Sequence, residues 1–334
     1  MKKISLLLVL CMLLSLFTGC GGDTETPTTP TDAPEKTTDA PTDPPTEPPT
    51  EPPTEPLADT VGCVFQVPDD FIPYSAGFWI DQSYTGGVSI QTEDRDESFL
   101  ERTGEEIAAD ISSNDLIDEG SFVVNEWKNI EVDGYPAKYL DMAWTESGDA
   151  VHCWGYYIVG SQNYNILFQD TTGSDQFASA FEAVAASINV LTEDEIVTPD
   201  TSDLEYYDFG SGAGMYADPE FITGMVIDGD GSVELSGMGG EFFPIVVAIE
   251  YDKAEYGLQD TTLEEFAARN GFHADIYGNL VYAKLRQDYD VVMYNTVKEV
   301  DGSFWMMAGS CDASAWAEQS DIYGQWYATF GPTE

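Results

Sequence analysis

Two histidines and sixty-one carboxylates are the main reactive side chains of this 334-residue sequence, with five cysteines. His152 stands in a strand-like run beside Cys153 and Trp154, and His273 stands in Phe272-His273-Ala274-Asp275. Neither has a second His or Cys at zinc-ligand spacing, so each reads as a strand histidine. Asp228-Gly229-Asp230-Gly231-Ser232 has the composition of a calcium loop. An EF-hand counted from Asp228 requires Gly at the sixth position and Glu at the twelfth. Val233 and Gly239 stand there instead. With Met225-Val226-Ile227 before it and Val233-Glu234-Leu235 after it, the stretch predicts a hairpin turn. Asp228 and Asp230 remain a calcium candidate only, and no metal or other cofactor is expected. The chain has no Gly-x-Ser-x-Gly elbow and no phosphate-binding loop. The glycines of 210–214 do not follow an apolar strand, and they read as a loop entering the second half. A glycosidase needs two suitably spaced carboxylates. Among sixty-one acids some pair always meets that condition, so it selects nothing. No catalytic residue is assigned and no enzyme is expected. The remaining candidates are aromatic: Trp144, Trp154 and Tyr156 crowd one region, and Trp305, Trp316, Trp326 and Tyr327 another. Exposed rings stack on sugars, whereas buried rings fill a core. Trp144, Trp154 and Tyr156 are taken as the candidate ligand contacts.

Twelve basic residues against sixty-one acidic ones leave a net charge of −49. Nucleic acid is excluded as a partner, because phosphate neutralisation needs clustered Lys and Arg. Electrostatic docking on anionic lipid is disfavoured for the same reason. The charge does favour a well-solvated, self-repelling surface.

The first residues, MKKISLLLVLCMLLSLFTGC, carry Lys2 and Lys3 ahead of an apolar run from Ile4 to Phe17. That run is shorter than the roughly 20 residues needed to span a bilayer, and it fits a secretory signal. Its end, Phe17-Thr18-Gly19-Cys20, resembles the lipobox of bacterial lipoproteins, with Phe17 where Leu is usual. The resemblance implies that residues 1–19 are a signal peptide and that Cys20 is lipidated. The partner so implied is a membrane, reached through the lipid anchor on its extracellular face. Residues 20–60 hold that cysteine and a stalk of Thr, Pro, Asp and Glu. Such a composition buries too little apolar surface to fold. Extended as polyproline II, residues 23–59 reach roughly 110 Å. Cys63, Cys153 and Cys311 then remain, an odd number. One disulfide is permitted outside the cytoplasm, and Cys63 with Cys153 is the pairing to test. Three buried free thiols are the alternative.

These candidates are positioned by two halves that repeat a phrase. TGEEIAAD at 103–110 returns as TLEEFAAR at 262–269. In each copy Thr precedes Glu by three residues, the capping-box pattern of a helix start. Ile107, Ala108 and Ile111 then share a face, as do Leu263, Phe266 and Ala267. A turn glycine and an Ala-Lys strand follow in both halves, at Gly134 with Ala137-Lys138 and at Gly278 with Ala283-Lys284. A hairpin comes next: Val151–Val159 with Tyr164–Phe168, and Val291–Val300 with Ser303–Ala308 around Asp301-Gly302. Each half closes on a helix, at 174–187 with Phe177, Phe181 and Val184 inward, and at 313–324 with Trp316, Ser320 and Tyr323 inward. The sequence predicts an α+β fold of two tandem, divergent modules, 61–190 and 204–334, joined by a linker at 191–203. In each, an antiparallel sheet is packed by a mid-chain helix and a C-terminal helix. A single larger fold with coincidental similarity is the alternative.

On this element order, with VFQVPDDF, VDGYPA and the terminal Ser-Ile-Asn, residues 61–190 resemble the PsbP-like domain, and 204–334 do so more faintly. The resemblance implies an α/β/α sandwich, a non-enzymatic binding or assembly module, and no shared catalytic residues. The expected function is non-catalytic binding of an extracellular ligand or an envelope protein at the cell surface. Carbohydrate binding by exposed aromatics and a carboxylate-based extracellular hydrolase are the alternatives.

Overall fold

The computed structural model describes residues 58–333 apart from 113, 115, 211, 230, 238–245, 288 and 289. The expected signal, Cys20, most of the stalk and Asp230 lie outside the described residues. The first module runs β1 Thr60–Val64, β2 Phe71–Ser75, β3 Phe78–Asp81, β4 Gly86–Glu93, α1 Gly104–Ile111, β5 Val123–Val132, β6 Tyr135–Glu146, β7 Asp149–Val159, β8 Asn163–Asp170, α2 Ala178–Ala186 and β9 Asn189–Thr192. The second runs β10 Glu205–Asp208, β11 Ala213–Ala217, β12 Ile222–Ile227, β13 Val233–Gly237, β14 Val246–Asp252, α3 Leu263–Arg269, β15 His273–Ala274, β16 Leu280–Arg286, β17 Val291–Val300, β18 Ser303–Asp312, α4 Trp316–Ala328 and β19 Gly331–Pro332.

Two seven-stranded antiparallel sheets result, ordered β2-β3-β4-β8-β7-β6-β5 and β12-β13-β14-β18-β17-β16-β15. The orders match strand for strand, with the mid-chain helix inserted at the same place. After the terminal helix the chain returns in both modules to pair with an early strand, β9 with β1 and β19 with β11. The fold is therefore α+β in two tandem modules. β9 carries the first module through Thr192, two residues beyond the predicted limit at 190. The connection also belongs partly to the second module, since Val197 N–H donates to Ile276 O at 2.9 Å.

Both capping boxes form. Thr103 accepts from Glu106 N–H and Thr262 from Glu265 N–H, while each Glu reaches back to the Thr N–H. The hairpin turns Asp133-Gly134, Ser147-Gly148 and Asp301-Gly302 hold both residues at positive φ, between 52° and 85°. A two-residue turn that matches strand twist needs that geometry.

Each sheet is apolar on both faces, so each takes two helical covers. In the first module the alternation is legible residue by residue. Leu140, Met142 and Trp144 of β6 join Cys153 and Tyr157 of β7 under Ile107 and Ile111 of α1. Ala137, Ile158, Ile166 and Phe168 turn the other way, under Phe177, Phe181 and Val184. In the second module α4 covers one face with Tyr323, Trp326 and Tyr327, and α3 covers the other with Ala267. The predicted stripe on α4 is thus corrected. Trp316 and Ser320 are only part-buried, because the helix starts at Trp316 after a 3₁₀ turn and runs on to Ala328. α2 starts at Ala178 rather than 174, because Asp170 accepts from Thr172 N–H and Phe177 N–H and holds that stretch as a turn. The Ala-Lys likeness also parts company in space: Lys138 is buried and donates to Leu100 O, whereas Lys284 is exposed.

Cys63 and Cys153 lie on opposite faces of the first sheet, in separate apolar clusters. The Cys63–Cys153 pairing is therefore corrected: Cys63, Cys153 and Cys311 are all free and buried.

The modules meet through their edges, with Ile72 of β2 packed against the cores of both. A Cβ on Gly62 would stand 2.3 Å from Ala274 Cβ, so β1 and β15 pack at a distance open only to glycine. The Trp79 and His273 rings meet edge-on at 5.3 Å across the same junction.

Replacing an N-cap Thr by Ala costs about 1 kcal/mol. Thr103→Ala and Thr262→Ala should each lower the urea midpoint accordingly, and the double variant should show nearly the sum, because the caps sit in different modules.

Candidate functional site

α2 spans nine residues and covers only part of its sheet face. Phe181 and Val184 reach the core, but Ala178, Ala185 and Ala186 present only methyl groups to the adjoining sheet. The uncovered part is a groove of about 490 Å³. Strand alternation sets its floor. Tyr139 and Asp141 of β6 lie opposite Tyr156 and Trp154 of β7, and His152 sits one pleat further along. Asp175, in the turn before α2, and Glu182 form the rim.

Trp154 is anchored against Phe168 at 6.2 Å and edge-on against Phe181 at 5.1 Å, yet it stays part-exposed. Tyr156 packs edge-on to Tyr139 at 5.6 Å. Lys128 places its Nζ 5.0 Å from the Tyr139 ring centre, a cation–π contact. His152 is held by both ring nitrogens, Nδ1 at 2.7 Å from Asp175 Oδ1 and Nε2 at 2.9 Å from Asp141 Oδ1. Asn125 donates to the same Asp141 oxygen at 2.8 Å, which fixes the carboxylate. Burial opposes a charge on this imidazole. The hydrogen bonds to Asp175 and Asp141 outweigh it and raise the pKa above the usual value. The groove therefore offers flat rings beside a fixed edge in which the His152 ring is held between the Asp141 and Asp175 carboxylates. That edge binds polar groups while the rings hold an apolar face.

Of the predicted contacts, the structure brings Trp154 and Tyr156 together here and removes Trp144. Trp144 is 3% exposed and stacks on Phe122 beneath the α1 layer, on the other face of the sheet. Its position is one of even register on β6, and every even side chain of that strand from Lys138 to Glu146 is buried. Trp305, Trp326 and Tyr327 are core residues of the second module. Tyr139, Asp141 and His152 escaped sequence reasoning as site residues, although alternation along β6 and β7 could have grouped them with Trp154. Asp175 carried no local signal, because the turn that delivers it follows from α2 docking.

Asp228 closes the β12–β13 hairpin, accepting from Gly231 N–H at 3.0 Å and donating its own N–H to Ser232 O at 2.9 Å. Asp230 lies outside the described residues. Among the described residues, no group of three or more His, Cys, Asp or Glu is placed to hold a metal ion.

The carboxyls displaced furthest upward lie away from this groove. Burial pushes Glu93 up to about 7, at the end of β4. Burial pushes Asp275 up to about 6, beside the module junction. Both Asp275 oxygens are already engaged, Oδ1 by Tyr277 N–H and Asn279 N–H and Oδ2 by Asn279 Nδ2 and Tyr294 Oη. Those bonds make Asp275 the organiser of a turn rather than a free acid.

No family model matches the chain, and no curated protein matches it. Solved structures do resemble it in fold. Cyanobacterial PsbP (CyanoP) from Synechocystis is 16% identical over 40% of this chain and 91% of its own, with a TM-score of 0.28. LpqN, a protein involved in cell envelope biogenesis of Mycobacterium tuberculosis, is 9% identical over 39% of this chain and 83% of its own, also with a TM-score of 0.28. Each match covers about the length of one module. Among the described residues no helix is long and apolar enough to cross a membrane.

The two histidines give a direct check by NMR titration. His152 should titrate above 6.5, and its contribution to stability should be complete below that value and lost as pH rises through the folded pKa. Burial holds His273 down to about 4, so its effect has the opposite sign: stability should fall as pH drops from about 6.5 toward 4.

Proposed function

We propose that this chain is a non-catalytic, lipid-anchored binding protein of the cell surface. The lipobox-like Cys20 tethers it, the Thr/Pro stalk sets its distance from the membrane, and the tandem modules meet an extracellular ligand. The observation that carries the reading is the α2 groove, where Tyr139, Trp154 and Tyr156 stand part-exposed beside a fixed His152–carboxylate edge. Buried aromatics serve packing, but rings left half open next to ordered polar groups suit a ligand with an apolar face and hydroxyl edges. A sugar ring has that form, so extracellular carbohydrate is the favoured ligand class. An envelope protein docked on the same groove is the second reading.

Cys20→Ala should move the protein from the membrane fraction to the medium. The released protein should bind soluble glycans in calorimetry. Removing a central aromatic from a binding site costs about 2 kcal/mol or more, so Trp154→Ala should weaken binding by at least tenfold, while Trp144→Phe leaves it unchanged. Glycan hydrolysis during the titration would instead establish the hydrolase alternative. Failure of all glycans, with a single envelope protein cross-linked at residue 154, would establish the second reading.

A further inference from the structure

The docked modules line a second, open cavity of about 350 Å³, with residues from both modules in its wall. The first module contributes Phe65 and Trp79 to its wall, and the second contributes Tyr277, Tyr294 and Trp316. Phe65 and Trp79 meet edge-on at 5.5 Å, and Tyr294 and Trp316 do so at 5.3 Å. Two aromatic pairs from different modules thus face one space. Phe65, Tyr277 and Trp316 are part-exposed, so their rings are open to an occupant.

The charge on this wall has one sign. Asp69, Asp275 and Asp321 line the cavity, and no Lys or Arg does so among the described residues. Asp321 stands exposed at its edge, where Oδ1 accepts from Tyr277 Oη at 2.6 Å. His273 also lines the cavity, and burial keeps its imidazole neutral near pH 7. Lys298, whose charge reaches Asp275, lines the neighbouring hollow and donates to Ala328 O at 3.2 Å. Carboxylates on low-dielectric aromatic walls focus a negative potential. The faces of the rings attract a cation in addition. An anion would meet three carboxylates and, among the described lining residues, no Lys or Arg, and a neutral apolar molecule would leave the potential unused.

We propose that the inter-module cavity is a binding site for a small organic cation, an amine or quaternary ammonium held by the aromatic rings and by the exposed carboxylates of Asp69 and Asp321. The volume suits a ligand of modest size, in keeping with small-molecule sites at domain junctions. Because both modules build the site, occupancy stiffens the junction. The site is separate from the α2 groove and does not depend on it.

The test is calorimetry on the full chain carrying Cys20→Ala, with choline and phenethylamine as probes. Their uncharged counterparts are 3,3-dimethylbutan-1-ol and 2-phenylethanol, and the anionic counterpart is phenylacetate. At least one cation should bind, at least tenfold more tightly than its neutral counterpart, with phenylacetate silent. Trp316→Leu and Asp321→Asn should each weaken that binding severalfold. Both positions are solvent-accessible, and unchanged circular dichroism and urea midpoints would show that the fold is kept. Trp154→Ala should leave it unchanged, which separates this site from the groove. Equal binding of charged and neutral probes, preference for phenylacetate, or indifference to both cavity variants would overturn the proposal, as would the absence of binding by both cations.

Discussion

A seven-stranded sheet with apolar residues on both faces has to be covered twice, and most of this structure follows from how that is done. Mid-chain and terminal helices supply the two covers in each module. Where a cover is long and aromatic, as with Tyr323, Trp326 and Tyr327 on α4, these rings are buried in the core of that face. Where it is short and ends in alanines, as with α2, the sheet is left open beside it. The candidate groove is thus the part of a two-sided sheet that its helix does not reach. The rings there remain anchored because their neighbours Phe168 and Phe181 are fully buried.

The two modules share strand order and helix placement but not surface chemistry. The buried Lys138 of the first has its sequence counterpart, Lys284, in solvent. The first module's sheet buries polar side chains, among them Asn163, Asn165 and Gln169 on β8. The α3-facing core of the second is built from Val297, Phe304, Phe272 and Ala267. The two modules thus share a topology and differ in the chemistry of their faces. Function then resides in faces and junctions rather than in the fold itself.

The junction brings a further constraint. Gly62 and Ala274 approach so closely that a methyl group on Gly62 would collide. This contact closes one side of the space between the modules, and the aromatic pairs line the other. The cavity depends on small residues at one point of the interface and large ones around it, a pattern invisible within either module.

Local physics made much of this legible in the chain itself. Thr103 with Glu106 and Thr262 with Glu265 announced two helix starts, because a capping box involves only four neighbouring residues. Asp301-Gly302 announced a hairpin, because two left-handed residues match strand twist. Repetition of these signals in one order pointed to two α+β modules, and the crowding of aromatics in one region made Trp154 and Tyr156 candidate contacts together with Trp144. Tertiary packing decided the rest. It sent Trp144 to the buried face of the sheet, put Cys63 and Cys153 on opposite sides, and began α2 four residues late through Asp170. It also carried Asp175 to His152 across 23 residues and joined Trp79 to His273 across 194. These outcomes depend on which face a helix leaves open and on how two modules dock. Both are settled by contacts between residues far apart in the chain, and no local pattern encodes them.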